Sequence, residues 1–233
     1  MQAIEHRLSM AMENYLLSIL RLEEQKVAVT IARLSDHFKS LPMAEGLGTS
    51  LPSVSAMLRR MAREKLVVTN LSKLIRLTEI GRLSAESILR RHRLAERLVV
   101  DLLQVDLRRS HEEAHRLEHA ISPYLEERIV KTLGSPTTCP FGHPIPGSEY
   151  KVKDGVLTMN KVRVGCSYAV DRLPEDDGDL LTYFVDNNFL PETIFKVTDF
   201  SLPRGIVTLQ CMGHELVFSL DVASLVWVYP SIQ

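Results

Sequence analysis

Residues 110–119, Ser-His-Glu-Glu-Ala-His-Arg-Leu-Glu-His, put three imidazoles and three carboxylates into ten positions of predicted helix. At about 100° per residue, His111, His115, Glu118 and His119 share one helical face. Upstream, His92 and Glu96 repeat the one-turn spacing on a second predicted helix. Solvated helices do not normally gather histidines in this way. Neutral imidazole combined with carboxylate suits a divalent ion of the zinc, manganese or iron(II) kind, so the stretch reads as a metal site.

Two short patterns in the same stretch have another meaning. His111-Glu-Glu-Ala-His115 satisfies H-E-x-x-H, the zinc-peptidase helix, and His115-Arg-Leu-Glu-His119 satisfies the inverted H-x-x-E-H. A peptidase would use two of these histidines, a distant third ligand and a glutamate acting on metal-bound water. No Met-turn or glycine-rich extension follows, which disfavours that reading. His111 and His119 are eight residues apart, about 12 Å along a helix axis, further than ligand bonds of about 2.1 Å let one ion bridge easily. Two ions shared between the two helices account for more of the ligands. The plain alternative is that these histidines and acids pair with one another, or with arginines, in a helical interface.

The elements that must position these residues follow from periodicity and punctuation. Apolar residues Met12, Leu16, Ile19 and Leu20 predict an amphipathic helix over 9–24. Thr30 caps a second helix through Ile31, Leu34 and Phe38. A Pro- and Gly-containing loop spans 40–50, and Ser50 caps a third helix over 51–65 with Pro52 in its first turn and Val54, Met57, Leu58 and Met61 buried. Leu66–Thr69 and Lys73–Leu77 read as a β-hairpin, and a long helix runs from Thr78 to about Leu103. Helix, helix, helix and hairpin in this order form the layout of a winged helix-turn-helix. Its third helix offers Ser50, Pro52, Ser53 and Ser55 early, where base edges would lie, and Arg59 and Arg60 further on, with Arg63 behind them. The competing view of that helix is an ordinary surface helix with a solvated basic face.

A turn near Gln104 folds the long helix back on the His-rich one, and Ser122-Pro123 opens another helix to Leu133. Residues 134–160, rich in Pro and Gly, read as a linker. Residues 161–230 alternate short strand-like runs, Val162–Val164 and Glu215–Leu220 among them, with only 180–186 helical. Five or six strands in that span fit a small SH3-like barrel.

Composition sets wide bounds. A chain of 233 residues with 45% hydrophobic content is globular, and no apolar run reaches the ~18 residues of a membrane span. The N-terminus reads as neither signal nor transit peptide, so a cytoplasmic location is expected. Cys139, Cys166 and Cys211 are scattered and odd in number, which predicts reduced thiols. The net charge of −1 conceals an asymmetry: residues 1–135 hold 21 Lys and Arg against 17 Asp and Glu, and residues 136–233 hold 7 against 12. The basic half points weakly toward phosphate, and the acidic half away from it.

With the wing, Arg91-His-Arg-Leu-Ala-Glu-Arg97, the His-rich run and Pro140-Phe-Gly-His-Pro-Ile-Pro-Gly147 in view, the chain resembles the diphtheria toxin repressor, iron-dependent and manganese-dependent regulator family over almost its whole length. The resemblance implies an α+β multidomain protein. Its parts would be a winged helix-turn-helix DNA-binding domain (1–78), a helical metal-binding and dimerisation domain (79–135), a linker (136–160) and an SH3-like, FeoA-like domain (161–233). It implies a homodimeric, non-enzymatic repressor of metal-uptake genes, activated by two iron(II) or manganese(II) ions per subunit, with zinc or cobalt as surrogates, and bound to a palindromic DNA operator. Carried over by motif, His92, Glu96 and His111 match an ancillary metal site, with Glu175 as its match from the last domain. His115, Glu118 and His119 match the primary site, to which Asn14 of the first helix would add a ligand.

Three departures from the family pattern stand out. Relatives offer methionine or aspartate at the position of Asn14. His115 stands where iron-responsive relatives have cysteine and manganese-responsive ones glutamate, so the residue that would sort metals is replaced. The turn before the third helix, Leu41 to Thr49, is longer by about nine residues. The expected mechanism is an ion that ties the first helix to the His-rich one and fixes two winged domains at the spacing of two half-sites. The rival classes are a zinc metallopeptidase, and a metal-buffering protein without affinity for DNA.

Overall fold

A computed structural model describes residues 8–40, 47–175 and 177–231. Most of the long turn expected to extend the DNA-binding domain, 41–46, lies outside them. The chain divides into two compact units, Met1–Arg91 and His92–Gln233.

In the first unit the Ser9 hydroxyl accepts the backbone N–H of Met12 and opens helix α1, Met10–Glu24. The sequence pattern suggests a helix with one apolar face, but ten of its fifteen residues are buried, Asn14, Ser18 and Arg21 among them. The helix is the centre of its unit, with α2 (Ile31–Ser40) and the wing packed on it. Thr30 caps α2 through the N–H of Arg33, as expected. Helix α3, Leu51–Arg63, starts at Ser50, whose hydroxyl accepts the N–H of Ser53, and it buries Val54, Leu58 and Met61. Met57, expected in the core, is only partly buried.

Strands β1 (Val67–Thr69) and β2 (Ile75–Leu77) pair antiparallel as the wing, with Val67 opposite Leu77. Thr78 then ends the wing and begins α4, Glu79–Arg97. Its N–H donates to Leu66 O and its hydroxyl accepts the N–H of Gly81. Gly81 is required there, because a Cβ at that position would lie 1.8 Å from Leu66 O. One cluster running from Met12 to Leu89 forms the core of this unit.

The second unit begins inside α4. After Arg97 the helix widens into one π-helical turn, Leu98–Leu102, and Gln104 reverses the chain at φ 54°. Helices α5 (Leu107–Glu118, capped by Asp106) and α6 (Pro123–Thr132, capped by Ser122) follow. Leu94, Ala95, Ala114, Ile121, Ile129 and Ile145 make the small core between them.

The stretch expected to be a linker carries little regular structure, yet it is held firmly. Arg97 donates to Thr138 O (2.7 Å) and Cys139 O (3.2 Å), and Arg93, buried on α4, donates to Pro144 O (2.6 Å). On its other side Leu173 N–H donates to Phe141 O (3.0 Å).

The last domain is a six-stranded antiparallel sheet of β3 (Leu157–Thr158), β4 (Ser167–Arg172), β5 (Ile194–Ser201), β6 (Ile206–Cys211), β7 (His214–Ser219) and β8 (Trp227–Pro230). Their order is β3-β8-β4-β5-β6-β7, so the strands form an open SH3-like sheet with β3 and β7 as its edges. Phe184, Phe189, Phe195 and Phe218 fill its core with ring centroids 5.2–6.0 Å apart.

Three local expectations are corrected. The first strand is Leu157–Thr158, inside the supposed linker, because Thr158 pairs with Trp227; Val162 instead follows a 3-10 turn, Met159–Lys161, and is buried outside any strand. Leu220 does not extend β7. Ser219 caps a short helix, α8 (Leu220–Leu225), by accepting the N–H of Val222. Helix α7, expected over 180–186, starts earlier, at Gly178, because Asp177 accepts the N–H groups of Asp179 and Leu180.

Candidate metal centre and nucleic-acid interface

The antiparallel pair of α4 and α5 lays the His92, Glu96 face of one helix against the His111, His115, Glu118 face of the other. His92, Glu96 and Glu118 are fully buried, and the side chains of His111 and His115 keep 13% and 15% exposure. Two sets of ligand-type atoms come within 4.8 Å of one another: His92, Glu96, His111 and Glu175 form one, and His92, His115 and Glu118 the other.

His92 belongs to both sets through different nitrogens. Its Nε2 lies 3.0 Å from Glu96 Oε1 and 3.2 Å from His111 Nδ1, while its Nδ1 contacts Glu118 Oε2. His111 Nδ1 is 3.2 Å from Glu96 Oε1, and His115 Nδ1 is 3.1 Å from Glu118 Oε1. His119 ends α5 as its C-cap, buried, with Nε2 3.3 Å from Glu118 Oε1. Glu175 enters from the loop after β4, also buried, with Cys139 Sγ 3.7 Å from its Oε2.

This donor set fits a divalent cation. Burial by itself pushes the Glu96 carboxyl up, but His92 and His111 beside it hold it well below the usual carboxylate range. Burial likewise opposes ionisation of Glu118, and His92 and His115 hold it low. Both acids are therefore carboxylates, removed from water in the company of imidazoles. Among the described residues Glu96 Oε2 has no hydrogen-bond partner, so a lone pair of this carboxylate remains in a buried polar space. Such a group is costly unless a cation or donor meets it. Pairing among the histidines and acids accounts for both oxygens of Glu118 and for Glu96 Oε1, and leaves Glu96 Oε2 over.

In the first unit, α3 presents Leu51, Pro52, Ser53, Ala56, Arg59 and Arg60 outward, with Ser55 partly exposed. Arg59 donates to Ser55 Oγ at 2.9 Å, and Arg60 pairs with Glu64 at 3.3 Å. Ser50 is exposed, its hydroxyl oxygen accepting the Ser53 N–H. Ser35 Oγ donates to Thr49 O at 2.6 Å and ties α2 to the residues that launch α3.

Asn14, the expected ligand from α1, lies in this unit, buried, and its Oδ1 has no hydrogen-bond partner among the described residues.

Comparison with known proteins decides the family. Residues 78–147 match the iron dependent repressor, metal binding and dimerisation domain, and residues 157–230 match the FeoA domain. The chain is 42% identical over 225 residues to the diphtheria toxin repressor of Corynebacterium diphtheriae, covering 91% of this chain and 93% of that protein. It is 38% identical over 218 residues to the iron-dependent repressor IdeR of Mycobacterium tuberculosis, covering 88% and 90%. The chain belongs to the iron-dependent repressor family. Among solved structures, a manganese-dependent transcriptional repressor in complex with manganese superposes with a TM-score of 0.82 at 27% identity over 94% of this chain and all of that one. The manganese regulator SloR gives 0.78 at 26% identity over 96% and 100%.

Within this member of the iron-dependent repressor family, the spacing of His92, Glu96, His111, His115, Glu118 and His119 was legible in the sequence, and Glu175 was reached only through the resemblance. The placement of His92 in both sets, and the contacts of Cys139 with Glu175, carried no sequence signal. They arise from side chains that meet across 26 and 36 residues of chain.

Proposed function

We propose that this protein is a repressor that binds DNA when iron(II) or manganese(II) occupies the centre on α4 and α5. The two buried His/carboxylate sets that share His92 carry this reading. They lie in a chain whose other unit displays an exposed recognition helix with Arg59 and Arg60. His92, Glu96, His111 and Glu175 would hold one ion through two imidazoles and two carboxylates. His115 and Glu118, with His119 beside them, would hold a second. A bound divalent cation supplies positive charge against buried carboxylates. The protein's own part is to hold the imidazoles in one orientation and to keep water from the acids.

Homodimers and a palindromic operator complete the reading. The matched dimerisation region leaves Leu102, Leu103, Tyr124 and Leu125 exposed, Tyr124 at 74%, which is apolar surface suited to a second copy. On DNA, Arg59 and Arg60 would neutralise phosphates, and Ser53 and Ser55 would face base edges. Fluorescence anisotropy on promoter duplexes, run anaerobically with iron(II), manganese(II), zinc(II) or chelator, tests it. Binding should require metal and weaken steeply with salt, as phosphate contacts demand. Equal binding in chelator would overturn the metal switch. Peptide hydrolysis lost on Glu112→Gln would revive the peptidase reading.

A further inference from the structure

The turn 138–144 sits between α4 and the segment that delivers Glu175. On the α4 side, Arg97 and Arg93 hold the carbonyls of Thr138, Cys139 and Pro144. Across the turn, Cys139 N–H donates to His143 O (2.8 Å) and Gly142 N–H to Cys139 O (3.0 Å). Gly142 stands at φ 88°, where a Cβ would fall 2.0 Å from Asp171 O, so only glycine lets the turn approach β4 this closely. On the far side three contacts fix residues 173–175. Leu173 N–H donates to Phe141 O, His143 Nε2 lies 2.7 Å from Leu173 O, and Cys139 Sγ lies 3.7 Å from Glu175 Oε2. His143 Nε2 is also 3.9 Å from that oxygen.

We infer that Cys139 and His143 are positioning residues for the metal centre: they clasp residues 173–175 and aim Glu175 at His92, Glu96 and His111. His143 acts on the backbone, donating its Nε2–H to Leu173 O two residues before the ligand. Cys139 acts on the carboxylate as an S–H donor to one oxygen, which leaves the other toward the set. The role of this turn is thus to join the last domain to the metal centre, beyond spanning the distance to it.

The inference rests on the proposal that His92, Glu96, His111 and Glu175 hold an ion, and the two can be tested apart. Manganese(II) and cobalt(II) are titrated calorimetrically and by visible absorption into the full-length wild type, Glu175→Gln, Cys139→Ala, Cys139→Ser, His143→Ala and the double variant Cys139→Ala/Glu175→Gln. Glu175→Gln should weaken one ion. Cys139→Ala and His143→Ala should weaken that same ion by about tenfold, the scale for losing a partner that orients a ligand. Cys139→Ser, which keeps a donor, should restore it. In the double variant the Cys139 change should cost nothing further.

If Glu175→Gln alters no ion, the four-residue centre fails and the clasp with it. If Glu175→Gln weakens an ion while Cys139→Ala does not, or costs as much again in the double variant, the clasp alone is overturned. A sulfur-to-cobalt charge-transfer band would also overturn it, by making Cys139 a ligand instead.

Discussion

The residue that changes the most between sequence and structure is His92. The family resemblance assigns it to one site only, together with Glu96 and His111. In three dimensions one ring nitrogen faces that set and the other faces Glu118. A neutral imidazole offers one lone pair and one N–H, so His92 can ligate one ion through Nε2 while its Nδ1–H orients Glu118 for the second. His92→Ala should therefore weaken both ions in an equilibrium dialysis experiment, whereas His115→Ala should weaken one. Equal, single-ion effects would show that the two sets do not share this ring. The one-turn spacings His92/Glu96, His111/His115 and His115/His119 were readable because helical geometry is local. The pairing of His92 with Glu118 depends on how two helices dock, and no local rule fixes that.

At the scale of elements, caps and turns were the most legible features. Thr30, Ser50 and Ser122 each accept a backbone N–H at the start of the helix they were expected to open. The errors fell on short elements, such as α8 and β3, where a few residues suit either state and tertiary contacts decide. The central burial of α1 was also hidden, since its polar residues Asn14, Ser18 and Arg21 read in sequence as solvent-facing yet are buried. Two predictions belong here. Gly81→Ala forces a methyl into Leu66 O at the joint of wing and α4, and should cost the first unit about 1–3 kcal/mol by denaturant unfolding. Tyr15, packed on Phe38 in the same core, has its phenol pushed up to about 12 by burial. Its folded value lies above its unfolded value, so its contribution to stability is intact below pH 10 and is lost as pH rises from there toward 12. Tyr15→Phe should flatten that loss in an alkaline unfolding series. An unchanged profile would show that Tyr15 ionises without hindrance.

At the scale of the whole molecule, the proposed metal ligands and the proposed recognition helix belong to different units of a single chain. Whatever path joins them, linkage requires the coupling to be reciprocal. If a divalent ion raises DNA affinity by some factor, operator DNA raises the affinity for that ion by the same factor. Manganese(II) titrated into the protein with and without a saturating operator duplex should therefore bind more tightly in the presence of DNA. The gain should equal the gain in DNA affinity between chelator and saturating metal. A non-operator duplex of the same length should give a smaller gain that shrinks with salt, because its contacts are mainly to phosphate. Metal affinity indifferent to operator DNA would mean that the ions stabilise the fold without governing DNA binding, and would leave the buffering reading in place.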